Sequence, residues 1–307
     1  MHNTFYTLGI AVTANEKESL KGTVSTLERD LESNPLNKPF ETIICLNNSD
    51  TEMENITRGI KLYYPSLKIR IISSEPGLIN AQKKILESSN EDSDFIIFYD
   101  ADVRIHTGTT NNIAKFMDSH PLTKAASGNQ IALNIDDFLY GVYNIFGINS
   151  NLMTPRKYLT GRDFAVRKKS YFVPDFMTTE DTFLSRYLVY TYGREAIKSV
   201  PNACVTYIGP RTLRDYFNKI RRLDLERKEM FAHFPEFKSL ESYFRKSRLP
   251  KEIVKLSNKE KSQLYIHDLL VKACKIAADL PKTPVWVPLY STKEDALFDA
   301  SNNRNGN

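Results

Sequence analysis

The chain's most restrictive feature is the run Phe95-Ile96-Ile97-Phe98-Tyr99, followed without a break by Asp100-Ala101-Asp102. Five consecutive large apolar residues have no polar face, so a strand made of them must be covered on both sides, as central strands of parallel sheets are. The residues before it supply the rest of such a sheet. Tyr6–Val12 predicts a first strand, and residues 16–31 a helix with Leu20, Val24, Leu27 and Leu31 on one face. Residues 40–46 and 68–73 predict two more strands, Thr51–Tyr63 a second helix, and residues 78–87 a third after a Pro76-Gly77 turn. Repeated β-α-β units imply an α/β fold: an open, mostly parallel sheet flanked by helices, with right-handed crossovers. Ligands of such sheets lie beyond the carboxyl ends of the strands. The polar residues there are Thr13, Asn15 and Glu16 after the first strand, Asn47 and Asn48 after the second, and Asp100 and Asp102 after the fourth.

Composition removes several classes. With 307 residues, 41% apolar and 26% charged, the chain is an ordinary globular one. No apolar run approaches the roughly 18 residues that would span a bilayer. Residues 1–12 carry no Lys or Arg ahead of their apolar stretch, so no secretory signal is expected. Cys45, Cys204 and Cys274 are too far apart to read as a disulfide framework or a metal cluster, which points to a reducing, cytoplasmic setting. No Gly-x-Gly-x-x-Gly or Gly-x-x-x-x-Gly-Lys loop follows the first strand, which argues against a dinucleotide fold and a P-loop. The remaining device for a phosphate ligand is a cation held by carboxylates. Alternate residues of an extended segment point the same way, so Asp100 and Asp102 can face one ligand. Their mutual repulsion at the exit of a buried strand is relieved by Mg²⁺ or Mn²⁺, ions that share a few carboxylates with substrate phosphates. Spacing alone is equally compatible with two solvated loop aspartates.

A second acidic pair, Glu180-Asp181, follows Thr178-Thr179 and precedes the apolar pattern Phe183, Leu184, Tyr187 and Leu188. Either threonine would cap a helix there, with the acids in its first turn. That is sound helix chemistry in itself, since acids belong at the positive end of the dipole. Tyr140, Tyr143 and Phe146 recur at helical spacing and fit a core-facing helix or an aromatic surface for stacking a ligand. Between Arg211 and Lys282 stand 18 basic and 10 acidic residues, so the C-terminal third is basic against a net charge of +5 for the whole chain. This is either a solvated helical face or a surface for an anionic partner.

Taken together, these residues resemble a family 2 glycosyltransferase of the GT-A fold, from about Tyr6 to Arg222. Asp100-Ala101-Asp102 matches the family's Asp-x-Asp at the end of the fourth strand, and Val12-Thr13-Ala14-Asn15-Glu16 its opening Pro-x-Tyr-Asn-Glu element. Asn47-Asn48-Ser49 replaces the usual Asp-Asp-Gly-Ser, whose acid commonly meets the nucleotide base. The segment from Pro76 to Ala81, with Gly77 and Asn80, is similar to a Gly-x-x-x-Ala loop beside the nucleotide. Gly161-Arg162-Asp163-Phe164-Ala165 is similar to a stretch beneath the acceptor site, with Asp163 as a sugar-hydroxyl contact. Arg221-Arg222 stands where related enzymes carry Gln-x-x-Arg-Trp, but Leu223 replaces the Trp, so a membrane-embedded polysaccharide synthase is not expected. These arginines are either diphosphate ligands or an exposed basic helix face.

The resemblance implies inversion at the anomeric carbon, with Asp181 as general base and Glu180 positioning it or the acceptor. It implies Mn²⁺ or Mg²⁺ on Asp102, assisted by Asp100 at the metal or the ribose. Substrate contacts would come from Thr13, Asn15, Glu16, Asn47, Asn48, Gly77, Asn80, Asp100, Asp163, Arg221 and Arg222. The donor would be UDP- or GDP-linked, and the acceptor a glycan, a lipid-linked or a small molecule, as in bacterial surface-glycan assembly. Nucleic acid is not an expected partner. Residues 1–222 would form the transferase domain, divided into a nucleotide-binding half (1–104) and an acceptor half (105–222). Residues 223–307 would be a helical, basic extension with a polar tail, a place for peripheral contact with the inner face of a membrane. Two rivals are a nucleotidyltransferase of related fold and a non-catalytic anion-binding protein that retains it.

Overall fold

The Phe95–Asp100 strand (β4) lies inside an eight-stranded sheet, between β1 (Tyr6–Val12) on one side and β7 (Asp163–Arg167) on the other. Its residues Phe95 to Tyr99 are all at most 3% exposed. The computed structural model describes residues 4–132, 158–209 and 213–244, with short stretches between 257 and 273. The sheet order is β3-β2-β1-β4-β7-β6-β8-β5 among the described residues, with β2 at Phe40–Asn47, β3 at Ile69–Ser74, β5 at Val103–Ile105, β6 at Ala125–Ala132 and β8 at Ile197–Tyr207. Strands β3, β2, β1 and β4 run parallel, linked through helices α1 (Lys17–Ser33), α2 (Thr51–Tyr63) and α3 (Leu78–Ser88). Leu20, Val24 and Leu27 of α1 are fully buried, and each such side chain stabilises the fold by roughly 1.5–3 kcal/mol.

Beyond β4 the sheet changes character. β7 pairs antiparallel with both β4 and β6, so the sheet is mixed. Helix α4 (Thr109–Ser119) starts where Asp30, itself buried, accepts the backbone N–H groups of Gly108 and Thr110. Helix α5 (Glu180–Tyr192) follows β7.

The chain forms two compact units, residues 1–129 with 157–206, and residues 130–156 with 207–307. In the second, helix α6 (Leu213–His233) leads to a 3-10 turn at Pro235–Leu240, where Phe237 stacks on Phe234 at 5.3 Å, and to the short α7 (Glu241–Phe244). The division at 222 that the sequence suggested falls inside α6, where nothing interrupts the helix. The basic character of this stretch is partly met within it: Asp224 accepts Arg227 at 2.7 Å and Lys228 at 3.1 Å. No helix among the described residues is long and apolar enough to cross a membrane. Tyr140, Tyr143, Phe146 and the stretch beyond residue 273 lie outside the described residues.

Gly128, in β6, is where backbone approaches closest. A Cβ there would stand 2.3 Å from Asp163 Oδ2 and 2.9 Å from the Ala203 carbonyl oxygen. Gly128→Ala is therefore expected to lower stability by about 2–3 kcal/mol, read from the shift in the urea unfolding midpoint. An unchanged midpoint would mean the strands can part at no cost.

Candidate active site

The Asp-x-Asp turn is held from beneath by α1. Asp100 closes β4, Asp102 lies in the turn to β5, and both are half-buried. The Thr23 hydroxyl, itself fully buried, is shared between the carbonyls of Ala101 and Val103, each at 2.8 Å. Thr26 accepts the N–H of Ile105 at 3.1 Å. Arg104 packs over Gly22, where an added Cβ would meet its guanidinium at about 2 Å and so displace it. Burial and the neighbouring Arg29 pull Arg104 down to about 10, and Asp102 opposes them. Arg104 remains a cation at neutral pH and sits within electrostatic reach of Asp102.

The second acidic pair is joined to this turn by two consecutive residues. The Asp100 N–H donates to the Arg162 carbonyl at 3.0 Å, and the Gly161 N–H donates to Asp181 Oδ2 at 3.1 Å. One dipeptide thus spans from the end of β4 to the start of α5. Gly161 packs tightly there: a Cβ would lie 3.0 Å from Glu180 Oε1 and 3.4 Å from Asp181 Oδ2. Asp181 Oδ1 accepts the N–H of Thr182 at 2.6 Å. Glu180 is 3% exposed, and burial, then the charges of Asp181 and Asp100, push its carboxyl well above the usual carboxylate range. Burial favours the uncharged acid because the charged form loses its hydration. Thr179 occupies the N-cap of α5 in extended backbone, but its side chain makes no capping hydrogen bond. A first-turn N–H, that of Thr182, goes to the Asp181 carboxylate.

The other predicted residues form a hydrogen-bonded rim at the carboxyl ends of β1 to β3. Glu16 is buried, and its Oε2 accepts both the Thr13 N–H (2.8 Å) and the Thr13 hydroxyl (3.0 Å). It shapes the turn after β1, whereas Asn15 is exposed. Asn47 Oδ1 accepts the Gly77 N–H at 2.7 Å, tying β2 to the loop before α3. Gly77 has φ +125°, which its lack of a side chain permits, and Asn48 adopts the left-handed region at φ 51°. Asn80 Nδ2 donates to the Pro76 carbonyl at 2.8 Å.

Asp163 lies inside the sheet. It is fully buried, its Oδ2 accepts the Gly128 N–H at 3.0 Å and its Oδ1 lies 3.4 Å from the Thr160 hydroxyl. Its carboxylate is turned into the β6–β7 contact, because β7 places it opposite Tyr99 in the sheet interior. Arg221 and Arg222 belong to α6 in the second unit, with Arg222 Nε 3.9 Å from the buried Glu226. Sequence reading also passed over Thr23, Gln82 and Tyr171, whose partners lie far away in the chain.

Among the described residues, no three His, Cys, Asp or Glu side chains converge as a metal cage. Asp100 and Asp102 nevertheless fit a hard divalent cation, because Mg²⁺-like ions are held by one or two carboxylates with substrate phosphates completing the shell.

A parallel α/β half, an acidic turn ending the central strand and an acid pair opening the helix after an antiparallel strand define a GT-A glycosyltransferase architecture. The family model for glycosyl transferase family 2 matches residues 10–179, more than half of the chain, and the protein belongs to that family. No curated protein matches the chain in sequence. Among solved structures it is similar to a mannosyltransferase from Pyrobaculum calidifontis in complex with GDP-Man and Mn²⁺, with a TM-score of 0.57 and 14% identity over 91% of this chain and 76% of that one. A mycobacterial protein gives a TM-score of 0.54 and 13% identity over 74% of each chain. The glucosyl-3-phosphoglycerate synthase of Mycobacterium tuberculosis, in complex with Mn²⁺, UDP-glucose and phosphoglyceric acid, gives 0.50 and 14% over 73% and 79%. At such identities the likeness concerns the fold.

Proposed function

We propose that the protein is an inverting, metal-dependent glycosyltransferase that moves a sugar from a nucleoside-diphosphate donor to an acceptor hydroxyl. The observation that carries this reading is the Gly161-Arg162 dipeptide, which hydrogen-bonds Asp181 on one side and Asp100 on the other and so keeps the two acidic sites adjacent. In-line displacement needs charge stabilisation at the leaving group and a base at the nucleophile. One carboxylate cannot serve both ends.

Asp181 takes the proton of the acceptor hydroxyl as its oxygen bonds to the anomeric carbon. The bond from that carbon to the diphosphate oxygen breaks, and its electron pair leaves with the diphosphate. Asp102, with Asp100, would hold Mn²⁺ or Mg²⁺, which when bound neutralises charge on the departing diphosphate. Glu180, whose carboxyl burial and the charges of Asp181 and Asp100 push toward its uncharged form, lessens the negative charge facing the base. The rim of Thr13, Asn15, Asn47, Asn48, Gly77 and Asn80 surrounds the nucleotide. Arg221 and Arg222 remain candidate diphosphate ligands.

The donors named for the structural relatives, GDP-mannose and UDP-glucose, open the test panel. Purified protein with Mn²⁺ is expected to release nucleoside diphosphate from one of a set of nucleotide sugars. Release of pyrophosphate from a nucleoside triphosphate and a sugar phosphate would instead favour the nucleotidyltransferase. No turnover together with tight donor binding would favour a binding protein.

A further inference from the structure

Asn47 ends β2 and is only 5% exposed. Its Oδ1 accepts the Gly77 N–H at 2.7 Å. Only the oxygen of a carboxamide can accept an N–H, so this bond fixes which way round the amide stands. A flipped amide would set Nδ2 against the Gly77 N–H, donor against donor. The end turned away from Gly77 is therefore Nδ2, which donates and cannot accept. Among the described residues no protein group meets Nδ2, yet it is not a buried atom, so it keeps contact with solvent at the rim.

The sheet order limits what can lie against that nitrogen. β4 ends at Asp100, and only β1 separates it from β2. Two strand spacings amount to roughly 10 Å. Asp181 is tied to β4 from the other direction, through Gly161 and Arg162, which lead into β7, the neighbour of β4 on the side away from β1.

We infer that Asn47 reads the nucleotide base, and that it selects a base carrying a carbonyl oxygen over one carrying an amino group at the same place. The inference deepens the glycosyltransferase reading and rests on it for the position of the nucleotide. With the diphosphate at Asp102 and the transferred sugar toward Asp181, the nucleoside extends the opposite way, past β1 to β2. A ribose followed by a base covers that distance. Uracil presents O4 and guanine O6, both acceptors, where cytosine and adenine present the amino groups N4 and N6. The Asn47 Nδ2 completes a hydrogen bond with the first two and faces a second donor in the others.

Calorimetric titration of the full-length protein with UDP, CDP, GDP and ADP in Mn²⁺ tests this without any need for turnover. UDP and CDP share a ring size, as do GDP and ADP, so each pair sets a carbonyl against an amino group. The parent is expected to bind the carbonyl-bearing member of the pair it accepts about tenfold more tightly, the measure of one hydrogen bond. Asn47→Asp keeps the shape and an oxygen for the Gly77 N–H, but puts an acceptor in place of the donor. The preference should then reverse, to CDP over UDP or ADP over GDP. A parent that binds both members of each pair equally, or prefers the amino-bearing one, would overturn the inference and leave the glycosyltransferase reading standing. An Asn47→Asp protein with the parent's ranking would overturn it too. If the parent binds none of the four, the nucleotide-sugar reading fails and the inference with it. Where Asn47→Asp does not fold, the parent's ranking of the four nucleotides decides alone.

Discussion

Asp181→Asn is expected to bind nucleotide sugar like the parent and to lose transfer by about a thousandfold, within the range for removal of a positioned general base. The substitution conserves shape but not chemistry. Asp181 accepts two backbone N–H groups, from Gly161 on Oδ2 and from Thr182 on Oδ1. An asparagine has one acceptor oxygen, so it satisfies one of them and turns its own NH₂ toward the other. That mismatch should cost about 1–2 kcal/mol of stability, too little to unfold a well-packed domain. The amide cannot take the acceptor's proton, so the loss falls on kcat. Donor affinity by calorimetry, beside initial rates of transfer, separates the two effects. Equal rates in parent and variant would remove Asp181 as the base.

Asp102→Asn should act at the other end of the reaction. Donor affinity in the presence of Mn²⁺ is expected to fall about 100-fold, equivalent to ~2.7 kcal/mol. The same variant without metal should bind donor as weakly as the parent does. The turn itself should survive, because Thr23 holds it through the carbonyls of Ala101 and Val103 and not through the carboxylate. Arg104 keeps its bonds to the Ser19 and Val103 carbonyls. Calorimetric titration of GDP-mannose and UDP-glucose, with and without Mn²⁺, reads the difference directly. A variant that retains the parent's full response to Mn²⁺ would place the cation elsewhere.

The parallel half of the sheet was legible because its residues repeat simple periods. Predicted and observed bounds of β1 and α2 coincide, and α1 buries the face marked by Leu20, Val24 and Leu27. β6, by contrast, reads Ala-Ala-Ser-Gly-Asn-Gln-Ile-Ala, small and polar residues with no strand signature. Its partners make it a strand: Ala125 and Ala126 lie against Val166 and Ala165 of β7. The same limit applied to Asp163 and Glu16. Both stand where site residues are sought, yet each is buried and hydrogen-bonded to its own chain. Residue 222, where the family resemblance ends, lies inside α6, since the end of a resemblance need not coincide with the end of a helix.

The sequence alone determined that a buried strand ends in two aspartates and that a second acid pair opens a helix, because hydrophobic period and cap-forming residues act over a few neighbours. It did not determine that these sites are adjacent, nor that Glu180 resists ionisation. Those properties depend on burial of Glu180 beside the charges of Asp181 and Asp100, and on the Gly161-Arg162 link between Asp181 and Asp100, which exist only once β4 and α5 are packed side by side. Local propensity does not reach that far along the chain, and only the folded sheet brings those groups together.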